Sequence, residues 1–186
     1  MADKKLIIVN PDSKIYRYND RNCSNTYSDI SASIGCTYLI YMYENLFSNE
    51  KFIYSSNWDW QNLLIGNKLI NHCPIFLAAF NYLEKRTKGQ ILIPWHLSPP
   101  SSKEERNVCG LRSEFNIANG FGYGAKGNGI RETLAFAGDN KDHSFYKNFI
   151  SNPQLFNEIL YKMRLNVLYK NHENKMLANI INTKFN

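Results

Sequence analysis

Residues 35–43 read Gly-Cys-Thr-Tyr-Leu-Ile-Tyr-Met-Tyr, and residues 51–55 read Lys-Phe-Ile-Tyr-Ser. β-Branched and aromatic residues, which favour strands, dominate both segments. A polar connection from Asn45 to Glu50 separates them. Two such runs joined by a short polar segment are typical of an antiparallel hairpin, so we expect one, with a helix layer covering one face.

Helical patterns follow this hairpin. Trp58 to Ile70 is apolar at helical spacing, and Pro74 suits the first position of a second helix because its φ angle is already fixed. Ser101 with Glu104 and Ser102 with Glu105 both match a capping box at the start of a third helix, and a last helix is predicted from near Asn152-Pro153. Since residues 132–138 alternate like a further strand, the pattern predicts an α+β fold with an antiparallel sheet flanked by helices.

The ends of the chain are more polar than its middle. Residues 5–9 form a short apolar run and predict a strand, and the stretch from Asn10 to Ser28 is rich in turn-forming residues. We therefore expect an N-terminal extension over 1–30, one folded domain over 31–172 and a polar tail over 173–186.

Composition narrows the class of protein. The chain has 186 residues, of which 44% are hydrophobic, and a formal net charge of +6 without any basic run. No apolar stretch approaches the roughly 18 residues that span a bilayer, and the first ten residues lack the apolar core of a secretory signal, so a cytoplasmic protein is expected. The dispersed basic residues argue against a nucleic-acid surface.

The four cysteines lie far apart and predict free thiols.

Motifs for catalysis or metal binding are weak. Gly122 to Gly127 matches GxGxxG, but a predicted helix precedes it and a strand follows it, which reverses the order found in dinucleotide-binding units, so a glycine-rich hairpin turn is the preferred interpretation. The histidines are isolated, and no nucleophile is paired with a base. We therefore expect no metal, no cofactor and no enzymatic activity.

The order of short motifs from Gly35 to Gly138 resembles the autoinducer-binding domain of LuxR-type regulators. The segments that carry this resemblance are Trp60, Leu64, Cys73-Pro74, Pro94-Trp95, Phe115-Asn-Ile-Ala-Asn-Gly120, Gly129 and Leu134-Ala-Phe-Ala137. The resemblance implies an α-β-α sandwich of PAS-like type around a central antiparallel sheet. It also implies an acyl-homoserine lactone, or another amphipathic small molecule, between the sheet and the helices.

Several polar positions of the family pattern differ in this chain. Trp60, which by the resemblance donates its indole N–H to the lactone carbonyl, is retained. Cys73 stands where the family has the carboxylate that accepts the ligand amide, and a thiol cannot replace that acceptor. Tyrosines are replaced by Ser56 and Leu64, and a strand serine or threonine by Ala135. Losing these partners would weaken a standard lactone by on the order of 100-fold.

The predicted ligand-binding residues combine these positions with aromatic neighbours. They are Tyr54, Ser56, Trp60, Leu64, Cys73, Trp95 and Ala135, and Gly120 and Gly129 are predicted as structural turn residues that allow close packing.

Two functions follow from the resemblance. The first is a stand-alone quorum-sensing-like domain that binds a small apolar or amphipathic signal. The alternative is a ligand-independent protein-interaction module that forms a homodimer, or that dimerises with and modulates a LuxR-type transcription regulator or another partner. Only 15 residues follow Asn171, too few for a helix-turn-helix domain, so no direct DNA binding is expected.

Overall fold

Six strands form one sheet. The computed structural model describes residues 14–17, 21–142 and 144–169. The strands are β1 (Lys14–Arg17), β2 (Cys36–Asn45), β3 (Glu50–Ser55), β4 (Gly89–Pro94), β5 (Ala118–Gly127) and β6 (Ile130–Gly138). Their order in the sheet is β1-β3-β2-β6-β5-β4, and every neighbouring pair is antiparallel except β1 and β3, which are parallel.

Helices cover both faces of the sheet. The helices α1, α5 and α6 pack together on one face, and α2, α3 and α4 lie on the other with two short 3-10 turns. Their bounds are α1 (Arg21–Ile34), α2 (Trp58–Gly66), α3 (Pro74–Glu84), α4 (Lys103–Glu114), α5 (Ser144–Ile150) and α6 (Pro153–Tyr169), with the 3-10 turns at Leu69–His72 and Trp95–Leu97. The architecture is therefore an α-β-α sandwich, as the resemblance implies.

The alternation of side chains along β2 separates two hydrophobic cores. Leu39 and Tyr41 point to the layer of α1, α5 and α6. Tyr38 and Ile40 point to the layer of α2, α3 and α4. Because successive side chains of a strand leave opposite faces, this central strand contributes to both cores at once.

Most predicted elements are confirmed. The hairpin of β2 and β3, the start of α3 at Pro74 and the start of α6 at Pro153 agree with the sequence interpretation. Ser102 caps α4 by accepting a hydrogen bond from the Glu105 amide, and the Glu105 carboxylate accepts one from the Ser101 amide at 2.6 Å. Within the described part of the chain, no helix is long and apolar enough to cross a membrane.

The N-terminal part differs from the expectation. Residues 21–28 were assigned to a turn-rich stretch, but they begin α1, whose Cys23 and Ile30 are buried in the core. The predicted boundary at residue 31 falls within this helix. Helical spacing of Cys23, Thr26, Ile30 and Ile34 places all four on the buried face, a pattern that the surrounding polar residues obscured. The predicted strand over 5–9 and tail over 173–186 lie outside the described residues.

The glycine-rich motif is a strand, so its interpretation as a hairpin turn was wrong. Gly122 and Gly124 lie in the middle of β5 and face α3, so that an added Cβ at Gly124 would lie 2.9 Å from Leu83. Gly120, grouped with Gly129 as a turn residue, also lies in β5. The turn itself is at Gly129, where a φ of +75° favours glycine.

We expect Gly120→Ala to destabilise the protein by about 1–3 kcal/mol, because the new methyl group overpacks the core. An added Cβ would lie 2.6 Å from the Phe136 carbonyl oxygen and 2.8 Å from Trp95 Cε2. The matched control is Gly110→Ala in α4, where no atom lies within 4 Å of the added Cβ. That change should stabilise by about 0.5–1 kcal/mol through helix propensity. Denaturant unfolding measures both. A Gly120→Ala protein as stable as the wild type would contradict the close packing of β5.

Candidate functional site

A cavity of about 170 Å³ lies between the sheet and the layer of α2, α3 and α4. This volume is well above the roughly 10–15 Å³ that one water molecule needs. Most of the lining is apolar, and it is contributed by the sheet (Tyr38, Ile40, Met42, Ile53, Ala135), by α2 and α3 (Trp60, Leu64, Phe76, Phe80) and by Cys73, Trp95 and Arg112. An apolar chamber with a few polar groups is the usual form of a small-molecule site.

Trp60 is fixed in this chamber by the start of α2. The Asn57 side chain caps the helix by accepting a hydrogen bond from the Trp60 amide at 2.9 Å. The indole is 2% exposed and packs against the Phe115 ring, with centroids 5.5 Å apart. It also makes a side-chain hydrogen bond with Tyr38. The indole N–H, which is the single hydrogen-bond donor of this side chain, is therefore used within the chain.

Trp95 is placed by the end of β4. The 3-10 turn that begins at Trp95 follows Pro94 directly. The Trp95 indole lies over β5, at the place where Gly120 and Gly122 have no side chain. An added Cβ at Gly122 would lie 3.6 Å from the indole Nε1. Nε1 is buried and has no hydrogen-bond partner among the described residues. Trp95 thus holds an unsatisfied donor beside the cavity.

Arg112 lies in the last turn of α4, where a cation interacts favourably with the helix dipole. Its guanidinium stacks on the Trp95 ring, 4.5 Å from the centroid. Its Nη2 contacts the Cys109 sulfur at 3.8 Å, but Nε and Nη1 are buried and have no hydrogen-bond partner in the described part of the chain. An unsatisfied buried donor costs about 1–3 kcal/mol, and more for a charged group. Trp95 and Arg112 therefore hold three of the four buried donors that have no partner among the described residues lining the cavity, and Nε of Arg131 is the fourth.

Tyr38 and Cys73 remain neutral near Arg112. Burial raises the pKa of the Tyr38 hydroxyl well above its usual range, with a further increase from Cys73, although Arg112 opposes both. The hydroxyl donates a hydrogen bond to Gln61 Oε1 at 3.2 Å. Burial also raises the pKa of the Cys73 thiol. At neutral pH Cys73 therefore carries no charge and cannot act as a carboxylate substitute.

Charged side chains line the cavity at the other end of β2. Glu44 pairs with Lys51 at 2.9 Å and with Arg131 at 3.5 Å, and Arg131 also pairs with Glu84. Tyr38 and Glu44 are six residues apart on one strand, which corresponds to about 20 Å. The cavity therefore runs along β2 from the group of Tyr38 and Arg112 to a set of ion pairs.

Five of the seven predicted ligand-binding residues line the cavity, namely Trp60, Leu64, Cys73, Trp95 and Ala135. Tyr54 does not, because its strand neighbour Ile53 points to the cavity and Tyr54 points to the core beneath α1. Ser56 does not either. Its backbone N–H donates a hydrogen bond to the Leu39 carbonyl, and its hydroxyl accepts one from the Leu39 N–H, at 2.9 Å each. Ser56 therefore closes the end of the β2 and β3 pair. Both placements correct the sequence prediction.

The sequence interpretation missed the polar residues at the Tyr38 end of the cavity, which are Tyr38, Gln61 and Arg112, and the ion-paired residues at its other end. Two of the three residues at the Tyr38 end had a usable signal. Tyr38 shares the two-residue period of Ile40 and Met42 in β2, and Arg112 is four residues after the buried Val108 in α4. No pattern distinguished Gln61 from an ordinary surface residue.

Metal ligands do not cluster in this region. Over residues 14–17, 21–142 and 144–169, no group of three or more His, Cys, Asp or Glu side chains could hold a metal ion. The cavity lining combines apolar groups with hydroxyl, thiol, amide and indole groups and with the charged side chains described above.

Two solved structures are similar to this chain. One is CepR2 from Burkholderia cenocepacia, described as an N-acylhomoserine lactone dependent LuxR family transcription factor, with 11% identity over 72% of this chain and 77% of that chain, and a TM-score of 0.48. The other is SdiA from Escherichia coli, with 14% identity over 80% of this chain and 63% of that chain, and a TM-score of 0.49. The first belongs to the family that the motifs of this sequence resemble. No family model and no curated protein matches the chain.

We expect brief treatment with iodoacetamide at pH 8 to modify Cys109 far faster than the other cysteines. Cys109 is partly exposed, whereas Cys23, Cys36 and Cys73 are buried, and burial raises the pKa of the Cys36 thiol to about 12. Intact-mass spectrometry should show a single early adduct that disappears in Cys109→Ser. Early modification of Cys73 would contradict its enclosure in the cavity wall.

Proposed function

We propose that this chain is a non-catalytic signal-binding domain that holds a small amphipathic ligand between the sheet and the layer of α2, α3 and α4. The observation that carries the proposal is the cavity itself, which combines apolar walls with buried polar groups at the end near Tyr38. Such a chamber stabilises an apolar ligand body by burial and orients it through a few hydrogen bonds.

The ligand differs from a standard acyl-homoserine lactone in this proposal. CepR2 is described as dependent on N-acylhomoserine lactone. In the present chain the thiol of Cys73 is buried and neutral, and Trp60 already hydrogen-bonds with Tyr38. A lactone amide would therefore lack its charged acceptor, and a lactone carbonyl would compete with an internal partner for the Trp60 donor.

The alternative function is a ligand-independent module that dimerises with a LuxR-type regulator. A cavity filled by side chains would favour it. Leu64 and Ala135 instead form part of the cavity wall and leave the space between sheet and helices open. The open cavity supports the ligand-binding proposal over this alternative.

Ligand binding should raise the melting temperature, because a molecule that binds only the folded state stabilises it. At a ligand concentration of about 100 Kd the stabilisation is about 2.7 kcal/mol. For a domain of this size, that stabilisation corresponds to an increase in melting temperature of about 5–10 °C. The measurement is a thermal-shift screen with N-hexanoyl and N-octanoyl homoserine lactones and with fractions of a lipid extract from the native host.

A cavity-filling variant tests the location. Ala135→Leu should abolish the shift, because the larger side chain occupies the cavity that Ala135 lines. The matched control is Ala32→Leu, at an exposed position of α1 on the opposite face of the sheet, and it should keep the shift. The absence of any shift with every fraction, or a shift that Ala135→Leu leaves intact, would contradict the proposal.

A further inference from the structure

The charges that line the cavity are unevenly neutralised. Glu44, Lys51 and Arg131 contact one another at one end, and Arg131 has Glu84 as a second carboxylate. Arg112 lines the same cavity, but no carboxylate in the described part of the chain lies within ion-pair distance of it. A partly buried guanidinium without a counterion favours an anion beside it.

Three buried donors are available at this place. They are Nε and Nη1 of Arg112 and Nε1 of Trp95, and none has a partner among the described residues. The stacking of the guanidinium on the indole, at 4.5 Å from the ring centroid, keeps the two side chains together. Gly122 has no side chain to cover Nε1, and it lines the cavity as well. An acceptor group entering from the cavity could therefore reach both side chains after small rotations.

We propose that the ligand is an organic acid whose single carboxylate binds Arg112 and Trp95, while its apolar body lies along Ile40, Met42, Phe76 and Phe80. This inference rests on the proposed ligand-binding function and names the chemical class of the ligand. Planar guanidinium groups match carboxylates in geometry and charge. Neutral Tyr38 and Gln61 lie nearby and add hydrogen-bonding capacity without adding charge.

The charge balance distinguishes a carboxylate from other head groups. One guanidinium neutralises one negative charge, so a doubly charged phosphate would keep an uncompensated charge in a largely apolar chamber. A lactone or an amide carries no charge and would leave Arg112 without a counterion. The site therefore selects a monoanion with an apolar body over these alternatives.

The test compares acids with their neutral isosteres by isothermal titration calorimetry. The probes are octanoate and octanamide, and 4-phenylbutyrate and 4-phenylbutanamide, so that each pair differs only in the charged group. We expect each acid to bind the wild-type protein about tenfold or more tightly than its amide, because charge-assisted hydrogen bonds are stronger than neutral ones. Arg112→Gln should reduce this ratio to about one, since it removes the charge and retains an amide donor.

Two further variants control the result. Arg106→Gln removes an exposed arginine on the same helix and should keep the ratio of the wild type. Trp95→Phe removes the indole N–H and should lower acid affinity about threefold or more, and melting curves establish that each variant is folded. If Arg112→Gln does not fold, the ratio in the wild type and in Trp95→Phe decides the question.

The outcomes separate the two proposals. Acid and amide bound equally by the wild type, or an acid preference that persists in Arg112→Gln, would overturn the anion site and leave the ligand-binding function standing. No binding of any probe, together with no thermal shift from any extract fraction, would overturn both. An acid preference that Arg112→Gln removes and Arg106→Gln retains establishes the anion site.

Discussion

The packing of the Trp95 indole on the bare backbone of β5 is the constraint on which the candidate site depends. Gly120 and Gly122 allow this contact, and an added Cβ at Gly120 would lie 2.8 Å from the ring. The indole in turn supports the guanidinium of Arg112. The end of β4, the middle of β5 and the last turn of α4 therefore meet at one place. This contact brings together the unsatisfied buried donors of Trp95 and Arg112 at one end of the cavity.

The architecture was more predictable from sequence than the cavity. The strand-favouring residues of β2 and β3 and the proline and capping signals of α3 and α4 are local, so the sheet and its helices could be predicted. The glycines of β5 could not, because their role depends on α3 and Trp95, which lie far away in sequence. Tyr54 was wrongly predicted to line the cavity, because no local pattern indicates which face of β3 the α1 layer covers.

The polar groups of the cavity lie at other positions than those that the sequence resemblance implies. Cys73, Leu64 and Ala135, which the resemblance aligns with polar positions, all line the cavity. Tyr38 and Gln61, joined by a hydrogen bond, and Arg112 supply polarity from other elements. Burial keeps Tyr38 and Cys73 neutral by raising the pKa of each. The result is a chamber that is apolar along its walls and cationic at one point, which suits an amphipathic ligand.

Native mass spectrometry of the protein purified from its own host tests ligand binding in this cavity most directly. The bare chain has a mass of 21.6 kDa. The account predicts a second, heavier species whose excess of a few hundred daltons, of the order of a small ligand, disappears on denaturation and is absent from Ala135→Leu. A spectrum that contains only the bare chain, or an adduct that Ala135→Leu retains in full, would contradict it.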